Sequence, residues 1–205
     1  MVQIFIAFMV VALAMPVVMK WLGREGFFVA SIVPLVGLIW TIAQGPRVLA
    51  GDYPVQTVTW VAELGLAGDF RLDTLSWIMS LLVNGVGALV LIYSARYFSR
   101  KASGLGRFAG FFVAFAGAMF GLVTTDNTLI MYIMWELTTV FSFLLIGHYR
   151  GRRASRRAAM EAIIVTTAGG LAMLGGIILL GELPGGSYSL TELVQAGADG
   201  TLLEG

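Results

Sequence analysis

Six apolar runs constrain this chain more than any other feature, because each is close to the length a helix needs to cross ~30 Å of hydrocarbon. They are Val2–Leu22, Phe27–Ala43, Thr74–Ala95, Phe108–Thr124, Asn127–Gly147 and Ala158–Leu180. Inside a bilayer no water satisfies backbone polar groups, so segments of this kind fold as helices. Composition agrees: 58% of the 205 residues are hydrophobic and 12% are charged, with a mean hydropathy of +0.87. The expected class is an all-α polytopic membrane protein with six transmembrane helices. The first run has no basic leader and no small-residue cleavage site, so it reads as a retained helix and not a signal peptide. Pro16 and Pro34 fall inside the first two runs, where membrane helices tolerate proline.

The basic residues orient the bundle. Eleven of the thirteen Lys and Arg fall on one side: Lys20 and Arg24, then Arg96, Arg100, Lys101 and Arg107, then Arg150, Arg152, Arg153, Arg156 and Arg157. Only Arg47 and Arg71 fall on the other. The rich side is expected to be cytoplasmic. Both ends of the chain then lie outside the cell, as an even number of spans requires. This clustering explains the basic residues by topology and gives no sign of nucleic-acid binding. Cysteine is absent and there is one histidine, so neither a disulfide nor a metal cluster is expected, and no cofactor motif is present.

Two outer segments carry their own patterns. Between spans two and three, residues 44–73 alternate in the manner of strands at Val55–Val61 and Phe70–Leu72. An Ala67-Gly68-Asp69 turn between them makes a small extracytoplasmic β-hairpin, the alternative being an irregular surface loop. Near the far end, Ser189-Leu190-Thr191-Glu192 reads as a capping box opening an amphipathic helix. The chain divides accordingly into residues 1–125, 126–181 and 182–205.

The polar residues inside the runs are the candidate site. Glu136 lies in the middle of span five, where a charged carboxylate costs roughly 2.5–3.5 kcal/mol. It is either protonated or paired with a cation. Tyr132 and Thr139 share its helical face at i−4 and i+3 and are placed to orient the carboxyl group or hold water. The competing reading makes Glu136 neutral glue, donating a hydrogen bond to a neighbouring helix. His148, about 18 Å further along at 1.5 Å per residue, is a possible proton relay or a plain interfacial histidine. Asn84, with Ser80 and Ala88, reads as helix-packing glue. The small-residue rows Gly110, Ala114, Ala118 and Ala168, Ala172, Gly176 read as packing surfaces. Asp126 and Asp73 read as N-terminal caps of spans five and three. Glu161 beside Arg156 and Arg157 reads as a surface ion pair.

Several of these motifs are similar to a known family. Asp73-Thr-Leu-Ser76 with Val90-Leu-Ile-Tyr-Ser94, and Trp135-Glu-Leu-Thr-Thr139 with Ser142-Phe-Leu-Leu-Ile-Gly147, resemble the third- and fifth-helix regions of the large antiporter-like subunits. These subunits occur in Mrp-type cation/proton antiporters and in respiratory complex I. The stretch Val165-Thr-Thr-Ala-Gly-Gly-Leu-Ala-Met-Leu-Gly-Gly176, followed by Gly186-Ser-Tyr-Ser-Leu190, is closer to the A-type Mrp subunits. The resemblance implies that Glu136 is the fifth-helix glutamate, which in the family pairs with a lysine on a seventh helix. It implies that residues 126–181 are helices five and six of the first antiporter-like repeat, which begins at helix four, and that the chain is the N-terminal part of a longer protein. The implied function is plasma-membrane exchange of Na⁺ or another monovalent cation for H⁺, with other Mrp subunits and the rest of an A-type chain as partners. The alternatives are a proton-pumping subunit of complex I or a scaffold without transport.

Overall fold

The computed structural model describes residues 1–61, 66–99, 102–149 and 151–203. The apolar runs become helices α1 (Val2–Leu22), α2 (Gly26–Leu49), α3 (Thr74–Tyr97), α4 (Leu105–Thr124), α5 (Thr128–Ile146) and α6 (Arg153–Gly181), followed by a short α7 (Leu190–Asp199). Among the described residues, five helical segments are long and apolar enough to cross a membrane: Val2–Leu49, Thr74–Tyr97, Leu105–Thr124, Thr128–Ile146 and Arg153–Gly181. The first of these joins α1 to α2 through a 3₁₀ turn at Gly23–Glu25. Gly23 closes α1 with φ +56°, a conformation that costs glycine little because it has no Cβ. The chain reverses there. The Val2 amide donates to Gln56 Oε1 at 3.2 Å, so the start of α1 and the segment after α2 meet at one end of the bundle.

That end also carries the sheet, in which β1 (Val55–Val61) pairs antiparallel with β2 (Leu66–Arg71). The hairpin is therefore present, but its turn is not at Ala67-Gly68-Asp69. Those residues belong to β2, opposite Thr59, Val58 and Thr57. Ladder hydrogen bonds use only the backbone, so small turn-forming residues do not stop a strand whose partner continues. Residues 62–65, between the two strands, lie outside the described residues.

Helix α4 lies at the centre, with α1, α3 and α5 packed around it; α2 lies against α3 and α1, and α6 against α5. Close approach depends on missing side chains. A Cβ on Gly110 would lie 2.7 Å from the Ala12 carbonyl oxygen of α1, and one on Gly106 2.8 Å from Pro16 Cα. The expected row Gly110, Ala114, Ala118 is buried. In lipid, where helices gain nothing from escaping water, such contacts supply the association energy. Between α2 and α3, the Trp77 indole donates to the Thr41 carbonyl at 2.7 Å and its ring lies over Gly45. Ser80, Asn84 and Ala88 are all buried.

The second small-residue row behaves differently. Ala168 and Ala172 are exposed, and a Cβ on Gly176 would meet nothing within 4 Å. The row faces away from the rest of the described chain and packs against none of it; within the described chain α6 buries Ala159, Gly170 and Ile177. Helix α6 also begins at Arg153, five residues ahead of the apolar run. Its basic first turns extend beyond the segment that hydropathy detects.

The two ends of the bundle are chemically distinct. At one, Phe27 stacks on Phe98 with ring centroids 5.7 Å apart, and Phe108 meets Phe98 at 4.9 Å. The described basic residues from Lys20 to Arg157 lie around this end, apart from Arg47 and Arg71; Arg100, Lys101 and Arg150 are outside the described residues. Glu161 pairs there with Arg157 at 2.7 Å on an exposed surface. At the other end, Asp73 caps α3 by accepting from the Ser76 amide at 2.8 Å. Asp126 does not cap α5, and this corrects the sequence reading. Asn127 does so, its Oδ1 accepting from the Leu129 and Ile130 amides at 3.0 and 3.1 Å. The Asp126 carboxylate turns to α7, accepting from Ser189 Oγ at 2.8 Å, the Thr191 amide at 3.1 Å and Thr191 Oγ at 2.6 Å. Ser189 caps α7 as expected, accepting from the Glu192 amide at 3.3 Å. The reciprocal half of the capping box is absent among the described contacts, because the Glu192 carboxylate takes the Ser187 hydroxyl.

Candidate functional site

Helix α5 is uninterrupted, with no proline or glycine between Thr128 and Ile146. Its Asn127 cap fixes the start, and Gly147 follows its last turn. Glu136 is the ninth of its nineteen residues, one short of the midpoint. The carboxylate lies toward α6. Oε1 is buried and has no hydrogen-bond partner among the described residues. The atom that makes room for it is one that is missing: a Cβ built on Gly170 of α6 would overlap Glu136 Oε1.

Tyr132 and Thr139 flank Glu136 on the same face, half-buried and buried respectively. Neither supplies a hydrogen bond to Oε1. The shared face is as expected, but the expected hydrogen bonding to this oxygen is not formed. Thr138, the neighbour on the adjoining face, satisfies its own hydroxyl by donating to the Trp135 carbonyl at 2.7 Å. Geometry accounts for the miss. Residues one turn apart on a helix run parallel to one another, and a carboxyl group that reaches across to the next helix leaves its own stripe.

His148 lies beyond the C-terminus of α5 at the basic end. Its ring sits edge-on to Phe108 at 5.2 Å and to Tyr149 at 5.0 Å, and 6.1 Å from Phe98. The structure therefore places it in an aromatic knot away from Glu136. On the α2–α3 side, Asn84 Nδ2 donates to the Ser80 carbonyl at 2.9 Å, whereas Asn84 Oδ1 and Ser80 Oγ are buried without partners among the described residues. Asn84 Oδ1 lies where a Cβ of Gly37 would be.

Gly170 is the site residue that the sequence reading passed over. A signal for it exists. Ala159, Gly170 and Ile177 are spaced by eleven and seven residues, close to three and two helical turns, and so share one face. The competing row Ala168, Ala172, Gly176 has the more familiar small-xxx-small spacing, and spacing alone does not say which of two faces meets a neighbour. Among the described residues no group of three or more His, Cys, Asp or Glu could hold a metal ion. Nothing in the arrangement around Glu136 pairs a nucleophile with a base; what it offers is a carboxyl group that can gain or lose a proton or a counter-charge.

Known proteins share this architecture. Residues 59–109 match the family described as NADH-ubiquinone oxidoreductase (complex I), chain 5 N-terminus. Residues 125–203 match the family described as NADH:quinone oxidoreductase/Mrp antiporter, TM. A solved structure of the Mrp complex from Dietzia sp. DQ12-45-1b superposes with a TM-score of 0.84 at 28% identity, over 98% of this chain and 22% of that one. The structure of the membrane-bound sulfane sulfur reductase, an archaeal respiratory membrane complex, shares the fold, with a TM-score of 0.76 at 16% identity over 96% of this chain and 40% of that one. The chain belongs to the family of antiporter-like membrane subunits common to Mrp antiporters and complex I. Within that family it is similar to the A1 subunit of the Na(+)/H(+) antiporter of Staphylococcus aureus, 39% identical over 91% of this chain. It spans 23% of that relative's length.

Proposed function

We propose that this chain forms part of a subunit of a multisubunit monovalent cation/proton antiporter, and that Glu136 is its switchable charge. The observation that carries the reading is the buried, unpartnered Oε1 of Glu136 at the middle of α5. A carboxylate in that position costs several kcal/mol unless it takes up a proton or a cation. Pairing with a lysine supplied outside these residues offsets the cost of both charges, and breaking the pair raises the free energy of each, which is how a conformational or protonation event on one is felt by the other. Tyr132 and Thr139 line the approach to this carboxyl group, and His148 stands at the basic end as a relay for protons leaving the path. The chain is then a transporter component, not an enzyme, and other Mrp subunits and the remainder of an A-type chain are its partners.

The proposed topology has six spans in a plasma membrane. Val2–Leu49 would be about 72 Å long as a straight helix, more than twice the hydrocarbon thickness, and its reversal at Gly23 supports counting it as two spans. The basic end is proposed to face the cytoplasm, with the hairpin and α7 outside.

The test is Glu136→Gln in the full assembly, with cation/proton exchange followed in everted vesicles. The expected result is a loss of at least about tenfold, since removing one member of a buried ion pair costs roughly 3–5 kcal/mol. Near-normal exchange, with the assembly at normal abundance, would refute the switch and leave Glu136 as packing glue.

A further inference from the structure

We infer that Gly170 is a positioning residue: it is the seat that holds the Glu136 carboxyl group between α5 and α6. The inference rests on the reading of Glu136 as the switchable charge, and it adds a residue to that site which no helical neighbour of Glu136 supplies. Three observations support it. Gly170 is buried, on the face of α6 that meets α5. A Cβ there would overlap Glu136 Oε1 and lie 3.7 Å from Trp135 Cδ1. The same oxygen has no hydrogen-bond partner among the described residues, so what holds it in place is shape and not a polar contact.

The other glycines of α6 sharpen the point. A Cβ on Gly169, Gly175 or Gly176 would meet nothing within 4 Å, and Gly181 stands against the Tyr188 ring at the opposite end from the basic residues. Of these five, Gly170 alone faces an ionisable side chain in the middle of α5. Alanine is favoured over glycine in a helix interior, so a substitution that fills empty space here would stabilise the helix. A glycine whose missing methyl group is occupied by a carboxylate oxygen is different: the oxygen ends a flexible side chain, so the carboxyl group turns aside at little cost to the fold. Replacing it pushes the carboxyl group out of the α5–α6 interface, away from the geometry in which a counter-charge reaches it.

The experiment uses the complete antiporter assembly, with thermal stability in detergent and cation/proton exchange in everted vesicles measured for each variant. Gly170→Ala is expected to leave the midpoint of thermal unfolding near that of the unsubstituted assembly and to reduce exchange at least about tenfold, the equivalent of roughly 1.4 kcal/mol. Glu136→Asp, one methylene shorter, withdraws the carboxyl group from the added methyl. In the Gly170→Ala background it is expected to recover part of the lost exchange, although on its own it weakens exchange. Unchanged exchange in Gly170→Ala would overturn the inference, and so would a lowered thermal midpoint that persists when Glu136→Ala removes the carboxyl group, which would mark a general packing defect. Near-normal exchange in Glu136→Gln would instead overturn the reading of Glu136 as the switchable charge, and so separates the failure of that reading from the failure of the seat.

Discussion

Asp126 holds together the end of the molecule that carries the hairpin and α7, and removing its side chain should release α7 while leaving the bundle intact. Its carboxylate accepts three hydrogen bonds from the first turn of α7, from Ser189 Oγ, the Thr191 amide and Thr191 Oγ. Its backbone makes two more, the amide donating to the Asp69 carbonyl of β2 at 2.7 Å and the carbonyl accepting from the Leu190 amide at 2.7 Å. The backbone bonds survive substitution. Bonds to a charged acceptor are worth roughly 1.5–3 kcal/mol each when buried, but these are only partly buried, so about 1 kcal/mol apiece is the better figure. Asp126→Ala should then cost about 3 kcal/mol of local stability, a factor of more than about 100 in the opening of α7. Helix α7 has little else to oppose this, since none of its residues is buried. Amide hydrogen exchange is the appropriate assay, because it resolves local from global opening. Residues 190–199 should lose protection by about two orders of magnitude, whereas α4 and α5 should be unaffected. Asp126→Asn retains an acceptor and a donor that Ser189 can reorient to meet, and should lose about a third as much. Unchanged exchange in α7 for Asp126→Ala would show that the clasp carries no energy and that α7 is held by its backbone bonds alone.

Three further outcomes are expected. Gly110→Ala should destabilise the α1–α4 pair, because the added methyl group lies 2.7 Å from the Ala12 carbonyl and backbone yields less readily than a side chain. Overpacking of roughly 1–3 kcal/mol outweighs a helix-propensity gain of about 1 kcal/mol, and a lowered thermal midpoint in detergent checks the sign. Asn84→Leu should be tolerated within about 1 kcal/mol in the same measurement, since it exchanges an amide with one satisfied and one unsatisfied atom for an apolar group of similar shape. The Tyr188 phenol should titrate above its ordinary 10.0, because it donates to Glu182 at 2.8 Å and the carboxylate charge opposes phenolate formation. The protonated phenol is the bonded form, so the contact is complete below about pH 10 and is lost as pH rises through the higher folded value. Glu182→Gln should bring the titration back toward the ordinary tyrosine range, read as the ultraviolet difference from Tyr188→Phe.

How much of this was legible in the sequence differs from element to element for physical reasons. Helices α1 and α3 to α5 appear within a few residues of their apolar runs, because hydrocarbon length and backbone satisfaction set them. The caps at Asp73 and Ser189 were legible because each stands directly before its helix, Ser189 with Glu192 at capping-box spacing. Asp126 and Asn127 were not separable by the same rule. Both are good caps in adjacent positions, and the choice depended on where the α7 segment returns, a contact about sixty residues distant. The hairpin turn was misplaced because Ala67-Gly68-Asp69 has turn composition, and composition does not register that the partner strand continues opposite it.

The candidate site divides along the same line. Glu136 could be found from one sequence because its cost is intrinsic: a carboxyl group in the middle of an apolar helix demands compensation wherever the neighbours lie. Gly170 could not, since a glycine has meaning only through what occupies the space of its absent side chain. The α6 sequence offers small residues on two faces, and composition alone does not choose between them. Only the placement of α5 distinguishes the face that packs from the face that does not. The unpacked face carries Ala168, Ala172 and the open Gly176 beside exposed Val165 and Leu179, so the carboxyl group lies one helix away from a surface smooth enough for another helix to approach. On the opposite, packed face, Gly170 stands against the carboxyl group, and the space its absent side chain leaves is the space that Glu136 Oε1 fills.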